Sequence, residues 1–214
     1  MLIESNLSQI SPFDRCEREW ISTSKLPSPT VKSGQCAEST ARAESRYVPW
    51  DVDIARINFR ANCGPISFAA ILGAEVCSII QFFPEFPDKP WCNFTQMKRA
   101  LRSYGVRFQP LRAQLPSRGL ALVQWLGPWT ARDFFGRKSL NYTHWIAINN
   151  SLVFDHTVEQ WLPLAEWKRD VAASFLQEIP GAIGWDVRFG IELKNSNTAV
   201  PVSMAAVCSM SPCC

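Results

Sequence analysis

The run Asn62-Cys63-Gly64-Pro65-Ile66-Ser67-Phe68-Ala69-Ala70-Ile71-Leu72-Gly73 constrains the fold more than any other part of this chain of 214 residues. Proline in a first turn and glycine just past the end are helix punctuation. Between them almost every side is apolar or small, so this helix must be buried, and the rest of the domain has to cover it. The chain has the material to do so. Hydrophobic residues make up 47% and aromatics 12% of it, which excludes wholesale disorder. Charged residues reach only 19%, with a net charge of +3, and that excludes a coiled coil or a solvated helical rod. No apolar run approaches the roughly 18 residues of a membrane span. Met1-Leu2-Ile3-Glu4-Ser5-Asn6 lacks the basic-then-apolar layout of a secretory signal. A cytoplasmic location without membrane attachment is expected.

Residues 1–46 are polar and without periodicity apart from a short helical pattern at Asp14–Trp20, and they are expected to form a mobile extension. Residues 195–214 have the same character and are expected to be a flexible tail. The folded domain is placed at 47–194. Within it the spacing predicts the buried helix, further helices over Glu75–Phe82 and Phe94–Tyr104, and strands at Val106–Leu111 and Gly119–Trp125. A hairpin over His144–Asp155, an amphipathic helix over Leu164–Ile179 and a closing strand over Trp185–Leu193 follow. Helices first and sheet later make the class α+β, with a mostly antiparallel sheet.

Eight cysteines form no Cys-x-x-Cys pair, and the chain has only two histidines. The spacing and supply of ligands speak against structural zinc, and neither metal nor cofactor is expected. Cys63 is the exception in placement. At a helix start the unpaired N–H groups carry partial positive charge, which favours a thiolate, the nucleophilic form of cysteine. Gly64 leaves room for a substrate backbone. The alternative is a buried structural cysteine, as Cys77 is expected to be. No role is evident for Cys92.

A nucleophile needs a base. Asn149-Asn150 has the chemistry of a two-residue turn. Centred there, the hairpin sets His144 directly across from Asp155 on one face, where a carboxylate can orient the imidazole. A turn displaced by one residue is expected to part them onto opposite faces. His156, next to Asp155, is expected on the opposite face as a surface or core histidine. The alternative for His144 and Asp155 is an exposed pair at strand ends.

Asn62-Cys63-Gly64-Pro65 opening a helix, then Thr143-His144-Trp145-Ile146-Ala147-Ile148, then Val153-Phe154-Asp155, resembles the papain-like cysteine peptidases. The likeness is greatest to the group that trims double-glycine leader peptides and to its uncharacterised bacterial and phage relatives. It spans about residues 56–156. The resemblance implies a papain-like core with the nucleophile helix packed on the sheet, with Cys63 as nucleophile, His144 as general base and acid, and Asp155 as orienter. The family pattern has a Gln shortly before the cysteine that helps hold the oxyanion. Residues 56–62 contain none, which leaves Asn58 and Asn62 as the candidate amides.

Three functions compete. The first is an enzyme acting on an amide or peptide bond of a peptide or protein substrate through a thioester, by hydrolysis or by acyl transfer. The second is an inactive papain-like scaffold with a structural or interaction role. The third is nucleic-acid binding: Lys98, Arg99, Arg102, Arg107, Arg112, Arg118, Arg132, Arg137 and Lys138 face Asp133 alone between Asn93 and Lys138. That reading is not favoured, because the charges are spread over several elements. Trp125 and Trp129 flank a Gly-Pro turn and, with Gly64 and Trp145, are candidates for the walls of a substrate groove. Nothing in the sequence specifies an oligomeric state.

Overall fold

The computed structural model describes residues 46–131 and 141–194. The expectations for both tails, and for Arg132, Asp133, Arg137 and Lys138, lie outside the described residues. Helices α1 (Val52–Phe59), α2 (Cys63–Leu72), α3 (Val76–Ile79, running into a 3-10 turn at Ile80–Phe82) and α4 (Phe94–Ser103) precede strands β1 (Phe108–Arg112) and β2 (Arg118–Leu126). Strands β3 (Thr143–Asn149), β4 (Leu152–Asp155) and β5 (Gln160–Pro163) follow. A helical stretch then runs through α5 (Leu164–Glu166), a π-helical segment (Trp167–Ala172) and α6 (Ala173–Glu178), and β6 (Gly184–Leu193) closes the sheet. The strand order is β1-β6-β2-β3-β4-β5, antiparallel at every pairing. The class is α+β. Among the described residues, no single helix is long and apolar enough to cross a membrane.

Helix α2 forms as its punctuation predicts. The Asn62 side chain caps it by accepting from the Gly64 N–H, and Gly73 ends it at a left-handed φ of +68°. Gly64 through Ile71 are all buried. The sheet carries a core on each face. Leu120, Leu122, Trp145, Ala147 and Phe154 pack with α1–α4. Ala121, Val123, Trp125, Ile146, Ile148 and Val153 pack with the stretch from Trp167 to Ala172. Burial on both sides is why β2 reads as a continuous apolar run over Gly119–Val123 rather than an alternating one.

The hairpin turn is Asn150-Ser151, one position later than expected. Asn149 pairs with Leu152, Ile148 with Val153 and Ala147 with Phe154. Asn150 takes the left-handed φ of +48°. Its N–H donates to Ser117 O, while Ser151 O accepts from the Leu164 N–H. Tertiary partners therefore select between two chemically suitable turns. Continuing this register puts Asp155 across from Ile146, and diagonal to His144. The two still share a face, contrary to the expectation for a displaced turn: moving a two-residue turn by one position shifts the pairing by two residues, and the side-chain period is two. Diagonal neighbours stay within reach of long or aromatic side chains.

Candidate active site

One bond ties α2 to the start of β3, and a second ties β3 to the loop before α4. The Ser67 hydroxyl, one turn into α2, donates to Trp145 O at 3.0 Å, and the Trp145 indole N–H donates to Cys92 O at 2.7 Å. Gly64 lies between them. A Cβ there would sit 2.6 Å from the Cys92 Cβ and 3.6 Å from Trp145 Cδ1. The missing side chain of Gly64 is thus filled by the protein itself, not by a substrate backbone. Cys63, first in the helix, remains half-buried with a free thiol.

His144 and Asp155 are fully buried, and His144 Nε2 meets Asp155 Oδ2 at 3.0 Å. The same Oδ2 accepts from the Trp167 indole N–H at 2.7 Å, and Oδ1 accepts from the Thr157 N–H at 2.9 Å. His144 Nδ1, buried, makes no hydrogen bond. The Cys63 thiol is near enough to act on the ring and to raise its pKa. Burial alone would lower the His144 pKa. Asp155, through its charge and hydrogen bond, and then Cys63 outweigh that and raise it to about 10. Burial likewise opposes the Asp155 charge, yet His144 and His156 hold this carboxyl well below the usual carboxylate range.

His156 belongs to this cluster, against the expectation that it faces away. Asp155 ends β4, so strand alternation no longer governs the next residue. The two imidazole centroids are 4.9 Å apart, and His156 Nδ1 is 3.7 Å from Asp155 Oδ1. Burial lowers its pKa to about 4, and the neighbouring His144 and Arg56 charges act in the same direction. Arg56 on α1 also fixes the turn after Asp155, donating to His156 O at 2.9 Å and pairing with Glu159 at 2.5 Å. His144, Asp155 and His156 offer donor atoms all within 4.8 Å of one another, a spacing a metal ion could bridge. Both Asp155 oxygens, however, already accept N–H groups, which makes the carboxylate a hydrogen-bond hub first.

The oxyanion candidates fare worse. Asn58 is exposed on α1. Asn62 spends its oxygen on the cap of α2, and its amide donates to Pro90 O. Trp125 and Trp145 are buried in the two cores, and so cannot wall a groove. Trp129 is half-buried against Tyr142, with its indole N–H on Trp125 O at 2.8 Å. Of the basic residues, Arg99 pairs with Glu85, Lys98 lies over the Phe94 ring and Arg102 over the Phe108 ring. Two contributors escaped sequence reasoning: Trp167, hidden in an ordinary amphipathic pattern, and Arg56, one of many surface-type arginines.

The two histidines predict a pH optimum of stability. Both titrate near 6.5 when unfolded. His144, raised to about 10, contributes stability that is complete below pH 6.5 and is lost as pH rises toward its folded value. For His156, lowered to about 4, the unfolded chain binds a proton between pH 6.5 and 4 that the folded chain does not, so stability falls on acidification. Asp155, lowered, contributes fully above about pH 3.9. The unfolding free energy from urea titration is expected to peak near pH 6.5, falling on each side by about 1.4 kcal/mol per pH unit. His144→Ala should flatten the alkaline limb and His156→Ala the acid limb. A wild-type profile level from pH 5 to 9 would contradict this assignment.

No protein-family model matches the chain, and no curated protein matches it.

Proposed function

We propose that this protein is a cysteine hydrolase of papain-like type, acting on an amide or peptide bond through Cys63, His144 and Asp155. One observation carries the reading. A fully buried imidazole gives Nε2 to a carboxylate at 3.0 Å, its other nitrogen makes no hydrogen bond, and a thiol at a helix start acts on the ring. With the His144 pKa raised to about 10, the resting imidazole is an imidazolium, the charge that stabilises an attacking thiolate.

The sulfur attacks the carbonyl carbon, and the carbonyl π pair moves onto oxygen. As that oxyanion collapses, the C–N bond breaks and His144 gives its proton to the departing nitrogen, leaving a thioester on Cys63. Water, or an amine in a transfer reaction, then attacks the thioester as His144 takes its proton, and the C–S bond breaks. In the first turn of α2 the Gly64 N–H is held by the Asn62 cap and Pro65 has none, which leaves the Cys63 N–H as the stabiliser for the oxyanion. Asn62, already engaged, adds none, so turnover is expected to be slow.

The test is to incubate the protein with a mixed peptide library, quench in acid and look by intact mass for an acyl adduct on Cys63. Hydroxylamine should release the adduct as hydroxamate, and Cys63→Ala should abolish it. An adduct that persists in Cys63→Ala, or no adduct with any peptide or simple amide ester, counts against this function.

A further inference from the structure

The acceptor atom of the His144–Asp155 bond is shared. Asp155 Oδ2 takes His144 Nε2 at 3.0 Å and the Trp167 indole N–H at 2.7 Å. Trp167 is fully buried and opens the π-helical segment Trp167–Ala172. A π turn closes on i→i+5, and Trp167, Val171 and Ala172 are all buried against the sheet. The ring is braced by Trp185, edge to face at 5.3 Å. This helix packs on the sheet face opposite α2. Such local insertions recur at functional sites, and here one presents a donor to a fully buried carboxylate.

The choice of donor has a chemical logic. Indole N–H donates only, carries no charge and does not titrate. It can neutralise part of a carboxylate without competing for the proton that His144 must hold and release. A Lys or Arg in that place would bring a second cation, and a third His would bring a second exchangeable proton.

We propose that Trp167 is a positioning residue of this site: its indole N–H locks Asp155 Oδ2 in place and draws charge from the oxygen that His144 shares, so a helix on the far face of the sheet sets the direction and strength of the His144–Asp155 bond. This rests on the catalytic reading of Cys63, His144 and Asp155. The groups that bear electrostatically on the pair are Cys63 at the start of α2 and His156 in the turn after β4, with Arg56 of α1 acting on His156.

Two measurements test it. In Trp167→Phe the shared oxygen loses a donor and becomes a stronger acceptor for His144. The low-field proton resonance of the His144 Nε2–H should move further downfield. The alkaline limb of iodoacetamide labelling at Cys63 should shift upward by about one pH unit, the worth of one charge-assisted hydrogen bond. A purely structural Trp167 would lower the melting temperature and leave both readouts in place, and that result overturns the proposal. Should the variant fail to fold, the intact chain answers the same question. With 15N-labelled indoles, one of the nine tryptophan Nε1–H signals must titrate together with the low-field proton, and nine signals that all ignore it overturn the proposal. Whether Cys63 labels preferentially in the wild-type chain decides the catalytic reading separately, since the low-field proton and its response do not depend on the thiol being a nucleophile.

Discussion

At pH 6, iodoacetamide is expected to alkylate Cys63 more than about tenfold faster than Cys77 or Cys92. All three are half-buried and outside any disulfide, so accessibility offers little discrimination. Chemistry does. Cys63 stands beside an imidazole that keeps its proton to about pH 10 and at the N-terminus of a ten-residue helix. Cys92 is the opposite case: burial pushes its thiol well up, and the nearby Cys63 adds to that. The tail thiols Cys16, Cys36, Cys208, Cys213 and Cys214 should also lag behind Cys63. His144→Ala should remove most of the advantage, because the cation is gone while the helix end remains. Asp155→Asn should remove less, since the imidazole stays but loses its fixed carboxylate. Site-resolved mass spectrometry reads the order directly. If Cys63 labels no faster than Cys77, the thiol is a packing residue and the enzyme reading falls, although the α+β architecture would be untouched.

Asp155→Ala is expected to destabilise the fold by about 3–5 kcal/mol, the usual penalty for breaking a buried charge pair from one side. The carboxylate is completely buried and receives three N–H groups, from His144, Trp167 and Thr157. Alanine would leave a buried imidazole that must give up its proton, and an indole and an amide N–H without acceptors. Asp155→Asn keeps an oxygen for two of the three donors and should cost less, about 1–3 kcal/mol. Urea unfolding at pH 6.5 measures both. An Asp155→Ala variant within 1 kcal/mol of wild type would mean that water replaces the carboxylate, and the site would have to be far more open than its burial states.

The parts of this fold that were legible in the sequence are those where local chemistry and tertiary packing agree. Helix α2 carries its own start and stop signals, and its interior has no polar face to misplace. Strand β2 could be recognised as doubly buried because both of its faces are apolar. Helix α1 was missed for a reason visible in its side chains: Ile54 and Ile57 are exposed, so its apolar residues mark the wrong face, and it ends at Arg60 with φ +54° rather than at a glycine. Strand β5, Gln160–Pro163, is four residues at the edge of the sheet ending in proline, too short for an alternation to register.

The site divides along the same line. His144 and Asp155 could be paired from hairpin arithmetic, because a shared face survives a displaced turn. His156 could not be placed, because its position depends on where the strand stops. Trp167 could not be foreseen at all: spacings of four and five residues look alike in a sequence until the helix itself takes up the longer one. The oxyanion side also resisted reading, since Asn62 fits equally well as a cap and as a catalytic amide, and only its bond to Pro90 O decides between them.

The contact between Gly64 and Cys92 has an evolutionary consequence. With 2.6 Å separating the Cys92 Cβ from the place a Gly64 Cβ would take, the two positions share a single volume. A lineage that gains a side chain beside Cys63 must surrender one in the loop before α4, or move the backbone that carries Cys63. Cys92 could give way to serine or alanine without disturbing its neighbour, whereas Gly64 could not change first. Divergence at this site has a built-in order, and Gly64 is the last of the two free to drift.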